Sequence, residues 1–514
     1  MSFLLSRNLE TVPFNRECEV QIITLREDDG KKHPSCFCVS IFKFINKVIN
    51  TISLAVDEKT VAELAMRDLP EVACVETFSR NNFYIRNPVV MKKMLSYHRN
   101  DLTADGIYSH SSIATAMLSI SNQIFPKNKD VRSLNDSIMT CEPKFTKKYR
   151  DFLLHFFSKE SLKSYFTDIE NIIDQTLQLF EKEKSEIILN DKIKLLSTTI
   201  MSSLFLGSTQ SFEEITSATS NIIPWIGDNL ASTVKLYRAF TFVFPRYKLV
   251  SDDDKNKTKK VLSKTIDEAI INAKQDNSPD SIVKAMLKES FTIEEIESMI
   301  TTLYVAGQDN VSTSLTHSLL KLAQDPDLQQ KIIDENLPPL ESKYIRALIC
   351  ESLRVRCPIG GIGRIASKNL QLTVRSKVDG TLISECRIKK GDLIHPMPMF
   401  AAKDPGSFKN PEEFDYERFM KTSSFLPSLE FLPFGGAVHR CPGWYLYYAI
   451  AAIMVSNIVK NYHITTSFEG EPKIQKGFLI SIADQIPIKF FREEKEFKEL
   501  YHHEFLPSSV EGWV

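Results

Sequence analysis

The sequence predicts a mainly α-helical fold with small β-sheets, built as one large domain. Three observations carry this expectation. Helical periodicity recurs in long stretches at 142–160, 162–184, 190–206, 255–275 and 293–324, with apolar residues returning every three or four positions. Short runs with strand character gather towards the two ends of the chain. Neither an internal repeat nor a low-complexity linker divides the 514 residues.

In chain order, the first 55 or so residues lack a clear pattern, and residues 1–56 read as an N-terminal extension. The apolar run at Met1–Leu5 is too short for a signal peptide. Residues 37–56 are the most membrane-like, but Lys43, Asn46, Lys47 and Asn50 interrupt them. A spanning helix needs about 20 mostly apolar residues. No transmembrane anchor is therefore expected. An amphipathic helix packed on the protein is the first reading, with peripheral membrane contact as the alternative.

Glu58–Arg67 is helical, with Val61, Leu64 and Ala65 on one face, and Val72–Ile85 is strand material stopped by Asn87-Pro88. Proline, glycine or charged clusters such as Asp252-Asp253-Asp254 punctuate the long helices downstream. Short strands are expected near 370–376, 380–388 and 392–396, with Lys389-Lys390-Gly391 as a turn. A last helix runs from Gly443 to about Asn461, and 474–491 alternates as a hairpin does. The organisation is then an extension (1–56), one catalytic domain (57–490) and a C-terminal tail (491–514).

Charge and cysteine content narrow the class. Charged residues make up 25% and hydrophobic residues 43%, which excludes wholesale disorder. The net charge of −1 carries no nucleic-acid footprint. Nine scattered cysteines do not suit a disulfide framework and point to a reducing, cytoplasmic setting for a soluble protein. Cys36 and Cys38 form the only close pair and lack partners at zinc spacing.

The chemistry starts at Phe431-Leu432-Pro433-Phe434-Gly435-Gly436-Ala437-Val438-His439-Arg440-Cys441-Pro442-Gly443. A lone cysteine near a helix start is usually a small buried side chain. Here glycines before and after it permit a tight loop, and a helix begins at once. Backbone N–H groups and the positive helix end then face the sulfur and favour the thiolate, the form that ligates iron. This loop resembles the cytochrome P-450 family pattern Phe-x-x-Gly-x-Arg/His-x-Cys-x-Gly. Phe434, His439, Cys441 and Gly443 match it, while Ala437 stands where the family has its central glycine.

The resemblance implies the P-450 fold, an α-rich prism with haem between a long central helix and the cysteine loop with its following helix. It implies haem b (iron protoporphyrin IX) as cofactor, Cys441 as axial ligand, Phe434 beside the sulfur and His439 at a haem propionate. Two further elements carry it. Glu351 and Arg354, three apart on an apolar helix, match the family's Glu-x-x-Arg pair, and Asp415-Tyr416-Glu417-Arg418-Phe419 supplies Arg418 as third member. An ordinary surface ion pair is the bland alternative, but a buried pair needs a third partner of this kind.

The stretch Ala306-Gly307-Gln308-Asp309-Asn310 resembles the family's central helix over the haem, where Ala306 and Gly307 lie beside bound dioxygen and an acid–alcohol pair delivers protons. Asp309 keeps the acid. Asn310 stands where the family usually has threonine, and an amide holds a hydrogen bond without relaying a proton. At about 100° per residue Ser312 points nearly opposite Asn310, while Thr313 returns almost a turn further along. By resemblance Arg364 and Arg150 reach propionates, although Thr146 replaces the usual tryptophan. Lys147, Lys148 and Arg150 read equally well as propionate contacts or as a solvated face, and they could also form a docking patch for an acidic electron donor.

Substrate positions would fall at 105–120, 222–245, 303–310, 359–363 and 477–481. The apolar run Phe240–Pro245 lines an access route or is plain core. No Gly-x-Gly-x-x-Gly and no four-cysteine cluster is present, so electrons would come from a separate ferredoxin- or flavodoxin/reductase-type donor. The expected function is monooxygenation of a small apolar substrate. Asn310 favours, as alternatives, a peroxide-rearranging, peroxygenase or oxidative-coupling enzyme. A non-catalytic haem-binding protein is a further one.

Overall fold

In a computed structural model the described residues are 18–24, 72–76, 81–96, 102–103, 138, 143–183, 185–208, 213–222, 225, 250–275, 277–361, 363–366, 368–376, 381–405, 407–422, 425, 431–436, 440–475 and 480–492. The expectations for 58–67, for the 37–56 stretch, for Cys36 and Cys38, and for 105–120 lie outside them.

The architecture is built around the helix Ile293–Ala323, about 46 Å long at 1.5 Å per residue. Thr292 and Glu295 close a reciprocal capping box at its start. Almost every residue from Ile296 to Ala323 is buried, because neighbouring helices cover it on several sides. Leu189–Leu206 packs against it through the buried Ser202–Tyr304 hydroxyl pair at 2.7 Å and the Phe205–Tyr304 ring contact at 5.5 Å. Gly207 ends that neighbour in the left-handed region at φ 72°, which a residue without Cβ adopts freely. Lys343–Val355, capped by Ser342, and Trp444–Asn461, buried from Leu446 to Val459, complete the helical layer beneath.

The expected long helices are present with shifted ends. The 142–160 pattern stops at Phe156, where Ser158 caps the short helix Lys159–Leu162. The 162–184 pattern becomes a 3-10 turn followed by Phe166–Lys182. Asp252–Asp254 does not punctuate: it forms the first turn of Asp252–Ala273, where three carboxylates complement the positive helix end and Ser251 accepts from the Asp254 amide.

Strands assemble from distant parts of the chain. The strand material at Val72–Ile85 forms two antiparallel strands, Val72–Glu76 and Asn81–Ile85. Asn81–Ile85 then pairs in parallel with Leu393–Pro396, which continues to Arg364–Ala366 and Leu102–Thr103. The 474–491 stretch is only partly a hairpin. Ile474–Gln475 pairs with Ser481–Ile482, but Pro487–Phe491 leaves to pair with His463–Thr465 and Ile187–Ile188. Within the N-terminal stretch, Cys18–Thr24 forms an edge strand on Leu370–Ser376, with Val20 opposite Val374. Among the described residues no helix is long and apolar enough to cross a membrane.

Candidate active site

The cysteine loop is shaped by its own backbone. Gly435 takes φ 69° and donates to the Leu432 carbonyl at 3.0 Å, and the Cys441 amide returns to the Phe434 carbonyl at 2.8 Å. The loop closes on itself and delivers Cys441 just ahead of the helix Trp444–Asn461. Cys441 is exposed. Burial nevertheless pushes its thiol up, against the pull of the Gly443 amide and the Arg150 and Arg440 guanidiniums.

Arg150, on the helix Pro143–Phe156, donates to the Arg440 carbonyl at 2.7 Å and so joins the loop directly. Its neighbours go elsewhere. Lys148 and the Tyr149 hydroxyl both bind Glu295, Lys148 at 2.7 and 2.9 Å and Tyr149 at 2.7 Å, and Lys147 pairs with Asp151 on the surface. The basic run is therefore divided. One member joins the cysteine loop, one pairs with Asp151 a turn along its own helix, and one pairs with Glu295 at the start of the central helix. Arg440 was not singled out in the sequence, although it adjoins the cysteine. Its guanidinium stacks 4.3 Å from the Trp444 ring and flanks the sulfur. Phe434 packs on Phe425 and Tyr447 at 6.0 and 5.8 Å. His439 lies outside the described residues. Arg364 is buried at the start of its strand and donates to the Gly363 carbonyl at 2.9 Å.

On the long central helix, burial breaks at one place. Ala306 is exposed, and Gly307, Asp309 and Asn310 are part-exposed, in a helix otherwise covered on both sides. Gly307 has a packing reason: a Cβ there would come within 2.7 Å of Met201 Cε on Leu189–Leu206. Asp309 pairs with Lys194 of the same neighbour at 2.7 Å. Asn310 donates from Nδ2 to the Ala306 carbonyl at 2.6 Å, while its Oδ1 is buried without a partner. The Ser312 hydroxyl turns to the Asp309 carbonyl at 3.2 Å and offers no substitute. Lys194 and Met201 gave no signal in the sequence, lying more than a hundred positions from the residues they touch.

The Glu-x-x-Arg pair is fully buried and fully used. Arg354 grips Glu351 with two bonds of 2.7 Å and donates to the carbonyls of Ala402, Pro411 and Glu413 at 3.0, 2.6 and 2.9 Å. Arg418 reaches the same carboxylate at 3.3 Å, and the Asp415 amide donates to it at 2.8 Å. Three separated segments are thereby locked together.

These residues suit a haem-thiolate group. Cys441 offers a soft donor with an N–H and two guanidiniums to hold its charge, and on the central helix the small Ala306 is left uncovered.

Comparison with known proteins points the same way. Residues 109–490 match the family described as Cytochrome P450. The C-22 sterol desaturase erg5 of Aspergillus fumigatus is 31% identical over 178 residues, 32% of each chain. The beta-amyrin 16-beta-monooxygenase of Platycodon grandiflorus is 28% identical over 34% of this chain and 36% of that one. A probable mitochondrial cytochrome P450 12c1 of Drosophila melanogaster is 27% identical over 42% of each. The matched stretches thus span well under two thirds of these relatives. In structure, the retinoic acid-bound cyanobacterial CYP120A1 superposes with a TM-score of 0.69 at 15% identity, over 86% of this chain and 96% of that one.

Proposed function

The chain belongs to the cytochrome P450 family, and on that premise we propose that it is a haem-thiolate monooxygenase inserting one oxygen atom of dioxygen into an apolar organic substrate. The observation that carries the reading is Cys441, exposed just ahead of the helix Trp444–Asn461 and flanked by the Gly443 amide, Arg150 and Arg440. Haem b, when bound, supplies the dioxygen chemistry and takes its electrons from a separate ferredoxin- or flavodoxin/reductase-type donor.

The chain's own residues do the rest. Cys441 holds the iron as thiolate, and the two guanidiniums and the amide favour that charge. Arg364, Arg150 and His439 are assigned to the propionates, and Arg150 also fixes the loop through the Arg440 carbonyl. Ala306 leaves room on the opposite side. Asp309, paired with Lys194, can take a proton from the surface side and pass it inward. Asn310 holds a water by its N–H but moves no proton. The relatives named for a sterol and for beta-amyrin support an apolar substrate. A cytoplasmic setting with reduced cysteines belongs to the same reading.

A second reading rests on Asn310. With an amide in place of the hydroxyl, the site also suits rearrangement of a peroxide, peroxygenation or oxidative coupling. Isotope labelling separates the two. A monooxygenase supplied with a surrogate ferredoxin and reductase places one atom of labelled dioxygen in the product and consumes electrons in proportion. Turnover of an organic peroxide without electrons or dioxygen, and no label in any product, overturns the first reading in favour of the second. Asn310→Thr is expected to raise the fraction of electrons that end in product. Unchanged coupling and unchanged peroxide leakage would count against the role given to Asn310.

A further inference from the structure

One carboxylate outside this chemistry is shared by three basic side chains. Glu471 lies 2.6 Å from Lys321 Nζ, 3.1 Å from His317 Nε2 and 3.1 Å from Arg356. His317 and Lys321 belong to the long central helix, two and three turns beyond Asn310, and Arg356 caps Lys343–Val355. Burial raises the Glu471 pKa, but the His317 hydrogen bond and then Lys321 bring it down to about 2, so it is an anion at any working pH. Around it, Gln324 donates to the carbonyls of Phe468 and Gly470 at 3.0 and 3.2 Å, and Arg356 to Pro472 at 3.2 Å. The whole 468–472 loop is thus moored to two helices.

The segment beyond this loop cannot hold itself. Ile474–Gln475 and Ser481–Ile482 are strands of two residues, too short to be stable as an isolated hairpin. Their position depends on the mooring. The Ala483 amide returns to Lys473 at 2.8 Å, and the Ile480 amide crosses to the Pro358 carbonyl at 3.0 Å. Ile480 Cδ1 lies 3.7 Å from where a Gly360 Cβ would stand. Glu471, Ile480 and Pro358–Gly361 therefore form one mechanical chain that ends just before Arg364.

We propose that Glu471 is a positioning residue that, by seating the 468–472 loop, fixes Ile480 against Gly360 and so limits the bulk of ligand admitted beside the haem. The proposal rests on the monooxygenase reading for its ligand and on geometry alone for its mooring. Removing the charge leaves Lys321 and Arg356 facing each other with little water, and the loop relieves this by moving outward.

The test uses the full chain with Glu471→Gln, Glu471→Asp and, as a control, Glu469→Gln at an exposed position of the same loop. Hydrogen exchange by mass spectrometry of the segment carrying Ile480 and Ala483, with and without haem, is expected to quicken about tenfold in Glu471→Gln. It should quicken less in Glu471→Asp and not in Glu469→Gln. In haem-loaded protein, followed by absorption, imidazole binding stays constant while a bulky phenyl-substituted azole binds about fivefold tighter in Glu471→Gln. Should Glu471→Gln fail to fold, Lys321→Met, which leaves two of the three partners, shows both effects at smaller size. Exchange at Ile480 that does not change, or a constant ratio of the two azole affinities, overturns the proposal. A wild-type protein that takes up no haem overturns the monooxygenase reading instead, and the exchange result stands apart from it.

Discussion

Replacing Glu351 by leucine removes the carboxylate that Arg354 grips where both side chains are wholly buried. Three carbonyl bonds from Arg354 survive, to Ala402, Pro411 and Glu413. The guanidinium then sits as an unbalanced charge in low dielectric, while Arg418 and the Asp415 amide lose their shared acceptor. Breaking such a pair from one side costs about 3–5 kcal/mol. Arg354→Leu costs a similar amount by a different route, because it leaves those three carbonyls without donors. In the double variant the guanidinium that Glu351→Leu leaves unbalanced is gone. Its destabilisation should fall short of the sum by about 2–3 kcal/mol. Urea midpoints of the four proteins, taken with unchanged slopes, measure the cycle. Additivity within about 0.5 kcal/mol would refute the claim that the pair acts as a unit.

The same geometry sets the outcome of other perturbations. Gly307→Ala meets only the flexible end of Met201, and alanine is the better helix former by about 1 kcal/mol, so stability should stay within about 1 kcal/mol of wild type. A loss well beyond that by thermal unfolding would mean that Met201 cannot move aside. Burial, opposed by the Glu471 hydrogen bond, holds His317 below its usual pKa. Unfolded histidine takes up its proton near pH 6.5 and folded His317 only lower, so the contribution is complete above about 6.5 and lost as pH falls below it. His317→Gln should flatten the decline of the urea midpoint in that acid range, and parallel profiles would contradict the assignment. Arg150→Met withdraws a cation that favours the Cys441 thiolate. In haem-free protein the pH profile of Cys441 alkylation should move upward, and an unmoved profile would show that Arg150 does not act on the sulfur.

How much of this was legible beforehand depends on the range of the interaction. Cys441, the Glu351/Arg354 pair and Arg418 stand in short motifs, and the structure joins the last three around one carboxylate. The long helices declared themselves by apolar period. Their ends did not, because Ser158 and Ser251 act through a single cap bond that periodicity ignores. The strand Cys18–Thr24 was invisible because its partner, Leu370–Ser376, lies some 350 positions away. For the same reason the partners of Asp309 and Gly307, Lys194 and Met201, could not be read. The partner of Lys148, Glu295, lies 147 positions off and could not be read either. Motif chemistry is local, whereas what tunes it is brought by folding.

Everything proposed for the site depends on a haem iron held by the thiolate of Cys441. The direct measurement is the absorption spectrum of the purified, reduced protein under carbon monoxide, beside Cys441→Ala and Cys441→His. Thiolate ligation gives a far-red-shifted Soret band in the wild type that both variants lose. A protein with no haem band, or with a band unaffected by either substitution, would contradict it.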